Sequence, residues 1–417
     1  MHVWLITVGE PLPGLSEGSR LWRTGLVAEE LVRRGHSVTW WTSRVDHFRK
    51  RLFPASSTVF EPYAGLAIRF LEGCLYRRNV SFARLLNHWQ IGRDFRSRSH
   101  SAPTPQVILC SFPTIELAAA AERYARSRRI PIVMDVRDLW PDVFLLPAPE
   151  RLRDTLRVLL RPYFSASQRA LAGADALIAV SQRYLEWGLV RACRAQRPTD
   201  RVFPLAYSFA PENNEVSRGA RTALLSRFGV PPDSTVCMFA GTFGRTYDLG
   251  PVLACAAQFA GEGSRGFHFL ICGEGDRGEE WRRSAQRLPN VSFTGWLAQD
   301  EMRAALGAAD IGLAAYAPDA PQGLPNKVIE YLAAGLAVVS SLPGETAQLL
   351  SAEGCGRTYT AGSASSLAEA LLGLSSAQAR RMVAENARRV FAARFRAEAV
   401  YSLLAEYLER TAGMLES

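Results

Sequence analysis

The run Pro325-Asn326-Lys327, with Glu330 one helical turn on, is the part of this sequence best equipped for chemistry. Pro325 can open a helix, because the first turn makes no use of the N–H that proline lacks. Asn326 and Lys327 then fall in that turn, where unpaired backbone N–H groups draw anions and an ammonium adds to the pull. Glu330 lies four residues after Asn326 and three after Lys327, so the three side chains share one helix face. An amide, a cation, a carboxylate and a helix N-terminus together suit a phosphorylated, hydroxyl-rich ligand. Among 49 Lys plus Arg, only Lys50 and Lys327 are lysines. A compact ammonium where the chain otherwise uses arginine suits a phosphate met as a point charge. The plain alternative is a surface lysine near a helix start.

Other candidates lie where apolar runs end. Gly241-Thr242-Phe243-Gly244-Arg245 follows the run 236–240, Gly273-Glu274-Gly275 follows 267–272, and Thr294-Gly295-Trp296 follows 291–293. Glycine-bearing turns at strand C-termini let backbone approach a ligand. Trp296 reads either as a wall beside a nucleobase or as a core residue. Earlier in the chain, Gly18, Ser19, Arg20 and Arg23 cluster at a helix start, suited to an anionic acceptor or to a solvated first turn. Arg137 and Asp138 follow the apolar run 132–136, where charge is costly unless paired or functional. Asp138 is a candidate for orienting an acceptor or sugar, or for acting as a base; the alternative is a structural pair with Arg137. No His/Cys spacing and no clear DxD loop suggests a metal, so none is expected.

The elements that position these residues follow a βα rhythm. Residues 3–8 read as a strand, 21–34 as an amphipathic helix and 38–42 as a second strand. Residues 43–100 hold loops, a strand near 66–70 and a basic helix; strands at 107–110, 132–136, 176–180 and 202–205 alternate with helices at 115–127 and 152–172. Periodicity lapses at 206–220 and then restarts, so the chain divides into two doubly wound α/β domains, 1–206 and 207–394, facing across a cleft. A long amphipathic C-terminal helix, about 395–417, is expected to return to the first domain.

The length of 417 residues, nearly half of them hydrophobic, supports two or three buried cores. Seven cysteines without CxxC spacing, mostly in apolar runs, read as free thiols of a reducing compartment. No basic leader precedes the first strand and no apolar run approaches bilayer length, which predicts a cytoplasmic protein. The net charge of +9 is uneven: from Arg77 to Arg98 six arginines and one acid interleave with Phe82, Leu85, Leu86, Trp89 and Phe95. That mixture suits an anionic membrane surface and peripheral attachment to the inner face of a membrane, or a solvated helix that also covers core. No nucleic-acid module is present, so no such partner is expected.

In their order and spacing these motifs resemble the family-four retaining glycosyltransferases of GT-B architecture, over nearly the whole chain. The similarity rests on Pro325-Asn326-Lys327-x-x-Glu330-Tyr331, Gly273-Glu274-Gly275, Val291-x-Phe293-x-Gly295 and the Gly35-His36-x-Val38 segment. Gly18-Ser19-Arg20, Asn79-Val80-Ser81 and Arg137-Asp138-Leu139-Trp140-Pro141 resemble a bacterial subgroup of surface-glycan assembly, some members of which use fucosamine-type donors. The resemblance implies transfer, with retention, of an N-acetylated or deoxy hexose from a nucleotide diphosphate sugar, UDP-linked, to a glycan or lipid-linked acceptor, without a cofactor. It implies that Glu330 holds the ribose. Asn326, Gln322, Leu324, Pro325, Gly241, Thr242, Gly244, Glu274 and Trp296 then line the donor, and Lys327 with Arg245 neutralises the diphosphate. Gly18, Ser19, Arg20, Arg23 and Arg137 face the acceptor, and Asp138 serves catalysis. The sequence departs from the family pattern at Gln322, where an amide replaces a glutamate, at Thr242 and Tyr247, the usual phosphate-binding pair, and at Arg137, usually histidine. A nucleotide-sugar epimerase of the same fold and a non-catalytic membrane-associated scaffold are the alternative readings.

Overall fold

The computed structural model describes residues 1–16, 20–53, 57–78, 81–145, 148–208, 214–261 and 266–413. Gly18, Ser19, Asn79 and Val80 lie outside the described residues. The chain forms two units, Met1–Pro204 with Glu398–Ser417, and Leu205–Ala397. Each is a Rossmann-like α/β domain.

In the first unit β1 (His2–Ile6), β2 (Ser37–Ser43), β3 (Val59–Tyr63), β4 (Leu66–Leu71), β5 (Val107–Phe112), β6 (Ile132–Val136), β7 (Ala176–Ala179) and β8 (Arg201–Val202) make one sheet. Their order is β8-β7-β6-β5-β1-β2-β4-β3, and every pair is parallel except β3 with β4. Residues buried on both faces explain the near-continuous apolar runs, such as Val107–Phe112. On one face the Phe82–Arg98, Ile115–Arg128 and Arg161–Ala172 helices pack in succession. Trp4, Trp40 and Trp41 are fully buried, with Trp4 stacked on Tyr124 at 4.9 Å.

The second unit contains β9 (Thr235–Ala240), β10 (Phe267–Cys272), β11 (Val291–Gly295), β12 (Ile311–Ala314), β13 (Ala337–Ser340) and β14 (Gly356–Thr358). All pairs are parallel, in the order β11-β10-β9-β12-β13-β14. The strand order reverses between β9 and β12, which is where open α/β sheets bind ligands at their carboxyl ends.

Three departures from the sequence reading have local causes. The helix expected over 152–172 is two, Glu150–Leu159 and Arg161–Ala172, with Pro162 in the first turn of the second, where a proline is tolerated and a continuous helix is not. The linker 206–220 carries the start of a helix, Asn214–Arg227. The β3–β4 hairpin went unread because β3 is nowhere fully buried and shows no clean alternation.

Candidate functional site

The helix Asn326–Ala333 begins at Pro325, so Asn326 and Lys327 occupy its first turn. Val328, Ile329, Tyr331 and Leu332 are buried against the second unit's core, which fixes the helix's rotation. That rotation turns Lys327 inward: the residue is only 6% exposed. Its Nζ lies 3.4 Å from the centre of the Phe239 ring and 4.0 Å from that of Tyr247. It has no hydrogen-bond acceptor among the described residues, and burial pushes its pKa well below the ordinary lysine value, against the pull of Glu330. Glu330 is half-buried on the same face, and Asn326 is exposed.

Before the helix, Gln322 presents a buried Oε1 that also lacks a partner among the described residues, while Leu324 is buried and Pro325 half-buried. Thr346 donates to the Gly323 carbonyl oxygen and holds this approach in place.

The loops after β9, β10 and β11 are bonded to one another. The Gly241 N–H donates to the Cys272 carbonyl at 3.0 Å, the Phe243 N–H to that of Glu274 at 2.8 Å, and the Gly273 N–H to that of Gly295 at 2.9 Å. Two glycines make this possible. A Cβ at Gly241 would stand 2.8 Å from Lys327 Nζ, and one at Gly273, where φ is +131°, would stand 2.0 Å from the Gly241 carbonyl oxygen. The structure thus brings Gly241 and Lys327 together at the point of strand-order reversal, with the Glu274 backbone bonded to the same loop at Phe243. Thr242, Gly244 and Arg245 lie on the same loop; Arg245 is exposed and makes no ion pair among the described residues. Glu274 is exposed, 3.7 Å from Arg282. Trp296 is 72% exposed, so it is not a core residue. Tyr247 and Phe239, which flank Lys327, were missed as a pair; they are eight residues apart, and only the β9 turn joins them.

In the first unit the charged candidates are arranged otherwise. Asp135, on β6, is fully buried and accepts from Arg23 Nε at 2.8 Å and Nη2 at 3.2 Å, and from Arg137 Nε at 2.7 Å. Arg23 also donates from Nη1 to the carbonyls of Phe203 and Pro204, at 2.9 and 3.1 Å. Arg137 further bonds Glu10 and donates to Thr24 Oγ1 at 3.0 Å. Burial alone would raise the Asp135 carboxyl, but the guanidiniums of Arg137 and Arg23 hold it below its usual value. Arg23 and Arg137, expected to face an acceptor, are therefore engaged within their own unit, because a buried carboxylate demands compensation. Arg137 does not pair with Asp138. Asp138 Oδ1 accepts from the Leu139 N–H at 2.8 Å, and burial raises its pKa. Arg20 is half-buried ahead of the Arg23–Arg33 helix.

Solved structures share the whole architecture. Sucrose-phosphate synthase from Thermosynechococcus elongatus aligns with a TM-score of 0.74 and 18% identity over 98% of each chain. Anabaena Alr3699/HepE in complex with UDP aligns at 0.67 and 16%, over 98% of this chain and 99% of that one. WaaG, a glycosyltransferase involved in lipopolysaccharide biosynthesis, aligns at 0.64 and 14%, over 98% and 99%. These neighbours establish the fold as that of GT-B glycosyltransferases. Among curated proteins no sequence matches. Residues 234–377, the larger part of the second unit, match the family model for Glycosyl transferases group 1.

Proposed function

We propose that the protein is a retaining glycosyltransferase that moves a sugar from a nucleotide diphosphate donor, UDP-linked, to a glycan or lipid-linked acceptor in surface-glycan assembly. The observation that carries the donor side is Lys327: an ammonium buried between two aromatic rings, with no acceptor among the described residues, beside a glycine whose Cβ would crowd it. A diphosphate oxygen supplies the missing acceptor and restores the charge that burial disfavours. Gln322 Oε1, also buried and unbonded, accepts from a sugar hydroxyl. Glu330 takes the ribose hydroxyls, and Trp296, exposed after β11, flanks the base. UDP as the nucleotide is supported by the similar Anabaena structures, solved with UDP and with UDP-glucose.

In this reading the leaving diphosphate is stabilised by Lys327, Arg245 and the first-turn N–H groups, a fixed electrostatic arrangement requiring no metal. The departing phosphate then helps to deprotonate the acceptor hydroxyl, and Asp138 orients the acceptor. Arg23 and Arg137 act as positioning residues through Asp135. The basic–aromatic helix Phe82–Arg98 leaves Phe82, Leu86 and Trp89 exposed, which suits peripheral attachment to an anionic membrane.

A thermal-shift panel of nucleotide sugars tests the donor side, since a ligand of the native state raises the midpoint. UDP-sugars are expected to stabilise the wild type and not Lys327→Ala or Glu330→Ala. Equal stabilisation of both variants would sink the assignment. Activity is expected to survive EDTA; loss restored by magnesium would overturn the metal-free reading. Release of a free sugar or epimer without an acceptor would favour the epimerase.

A further inference from the structure

Lys50, the chain's other lysine, lies in the first unit with its backbone in the left-handed region, at φ +52°. That conformation is costly for a residue bearing a side chain, and such strain gathers at functional sites. Its Nζ lies 5.1 Å from the centre of the Tyr76 ring, and the Arg84 guanidinium carbon lies 5.9 Å from the same centre. Arg84 also stands 4.9 Å from the centre of the Trp140 ring. His47 Nδ1 is 2.7 Å from the Tyr76 hydroxyl. Burial, then the charges of Arg84 and Lys50, push His47 down to about 4, so it is neutral near pH 7 and adds hydrogen-bonding capacity without charge. His88 is buried, stacks on Trp140, and has no partner for Nδ1 among the described residues.

Two cations converging on one tyrosine repel each other: Arg84 lowers the pKa of Lys50, after burial, while Asp46 raises it more weakly. Asp46 Oδ1 accepts from the N–H groups of Phe48 and Arg49, and Asp138 attracts Arg84. The surroundings are unusual for a purely ionic site. Phe48, Leu75 and Phe82, within two residues of Lys50, Tyr76 and Arg84, are 53%, 44% and 81% exposed. Arg49, Arg51, Arg77 and Arg78, close to them in sequence, are exposed.

We propose that this cluster binds a lipid phosphate, with Lys50 and Arg84 on the phosphate head and Phe48, Leu75 and Phe82 against the start of the hydrocarbon tail. A cationic pair with an apolar rim matches an amphiphile of that chemistry at both ends: an ammonium and a guanidinium suit phosphate, and exposed aromatic and leucine side chains gain by covering. Free phosphate satisfies only the first, and a neutral lipid only the second. The site names the acceptor class of the function proposed above and rests on that reading only for the step after binding.

The test is binding, without donor or transfer. Full-length protein is titrated with farnesyl monophosphate, inorganic phosphate and farnesol, followed by tryptophan fluorescence. Farnesyl monophosphate is expected to bind at least tenfold more tightly than either fragment. Lys50→Ala and Phe82→Ser are expected to weaken it at least fivefold each, with unchanged melting temperature and UDP binding. Both side chains avoid the half-buried, ring-packed position of Arg84, whose loss would disturb folding. Equal binding of farnesol, equal binding of inorganic phosphate, or unchanged affinity in Lys50→Ala each overturns the proposal. UDP binding without farnesyl phosphate binding sinks this site alone. Lipid phosphate binding without UDP binding sinks the donor reading instead.

Discussion

Both units gather charge at the carboxyl ends of parallel strands, and they treat it in opposite ways. In the first, Asp135 is met by Arg23 and Arg137, and Arg137 by Glu10, so each buried charge has a partner of opposite sign, with Arg137 Nη2 alone of that guanidinium left without an acceptor among the described residues. In the second, Lys327 is also buried but faces two aromatic rings and no carboxylate hydrogen-bonded to it among the described residues. A charge-paired network stabilises the fold, and its members are expected to be indispensable to it. A buried charge left open costs stability and is retained for what it binds. Composition hides this difference, since both clusters read in sequence as charge after an apolar run.

The largest effect expected from breaking the contrast is at Arg23. Arg23→Met leaves Asp135 with one guanidinium and two backbone carbonyls without their donor. Removing one partner of a buried ion pair costs about 3–5 kcal/mol. Chemical denaturation should show that loss; a loss of less than about 1 kcal/mol would mean the network is not structural.

Lys327→Met is expected to do the reverse. Turnover should fall at least tenfold, the scale of losing one donor to a developing anion being about 100-fold, while the melting temperature holds or rises. The pH dependence carries the same signature. The folded lysine has a pKa far below the ordinary 10.5, so between those two values the unfolded chain binds the extra proton. Stability of the unliganded wild type therefore rises with pH across that window. Lys327→Met should lack this part of the slope. A variant that loses stability and keeps activity would reverse the roles assigned to the two clusters.

A gentler probe is Gly241→Ala. Its Cβ would meet Lys327 Nζ at 2.8 Å, the end of a flexible side chain. The fold should tolerate it, and UDP-sugar affinity should fall about tenfold, or about 1.4 kcal/mol, as the ammonium is displaced. Calorimetric titration decides; unchanged affinity would move the phosphate away from Lys327.

Much of this was legible in the sequence because the periodicities are strong. The second unit's strands are short apolar runs that end in glycine, and the Pro325 signal placed the helix start correctly. The site's inner wall was not legible. That Lys327 points between Phe239 and Tyr247 depends on helix rotation, which the burial of Val328, Ile329 and Tyr331 sets. Nor could spacing show that Arg23 and Arg137 converge on Asp135: Arg23 lies 112 residues from it, and only the β1–β5–β6 order brings them together. The same limit applies to Lys50 and Arg84, which meet at Tyr76 from different elements.

The smallest effect comes from a third arrangement that separates pairing from burial. Arg34 donates through Nε and Nη2 to Glu409, both at 2.8 Å, and ties the Ala397–Gly413 helix to the Arg23–Arg33 helix within the first unit. The hydrogen bond from Arg34 lowers Glu409 to about 2, so the stabilisation is present above the ordinary glutamate value of 4.5 and is lost as pH falls from there toward 2. The geometry is as good as that at Asp135, but the side chains are 25% and 30% exposed. Solvent screening should hold the cost of Glu409→Gln to about 0.5 kcal/mol, with a difference from wild type that vanishes in acid. If Glu409→Gln proves as damaging as Arg23→Met, fork geometry rather than burial sets the value of these pairs. The open state of Lys327 would then no longer distinguish a binding charge from a structural one.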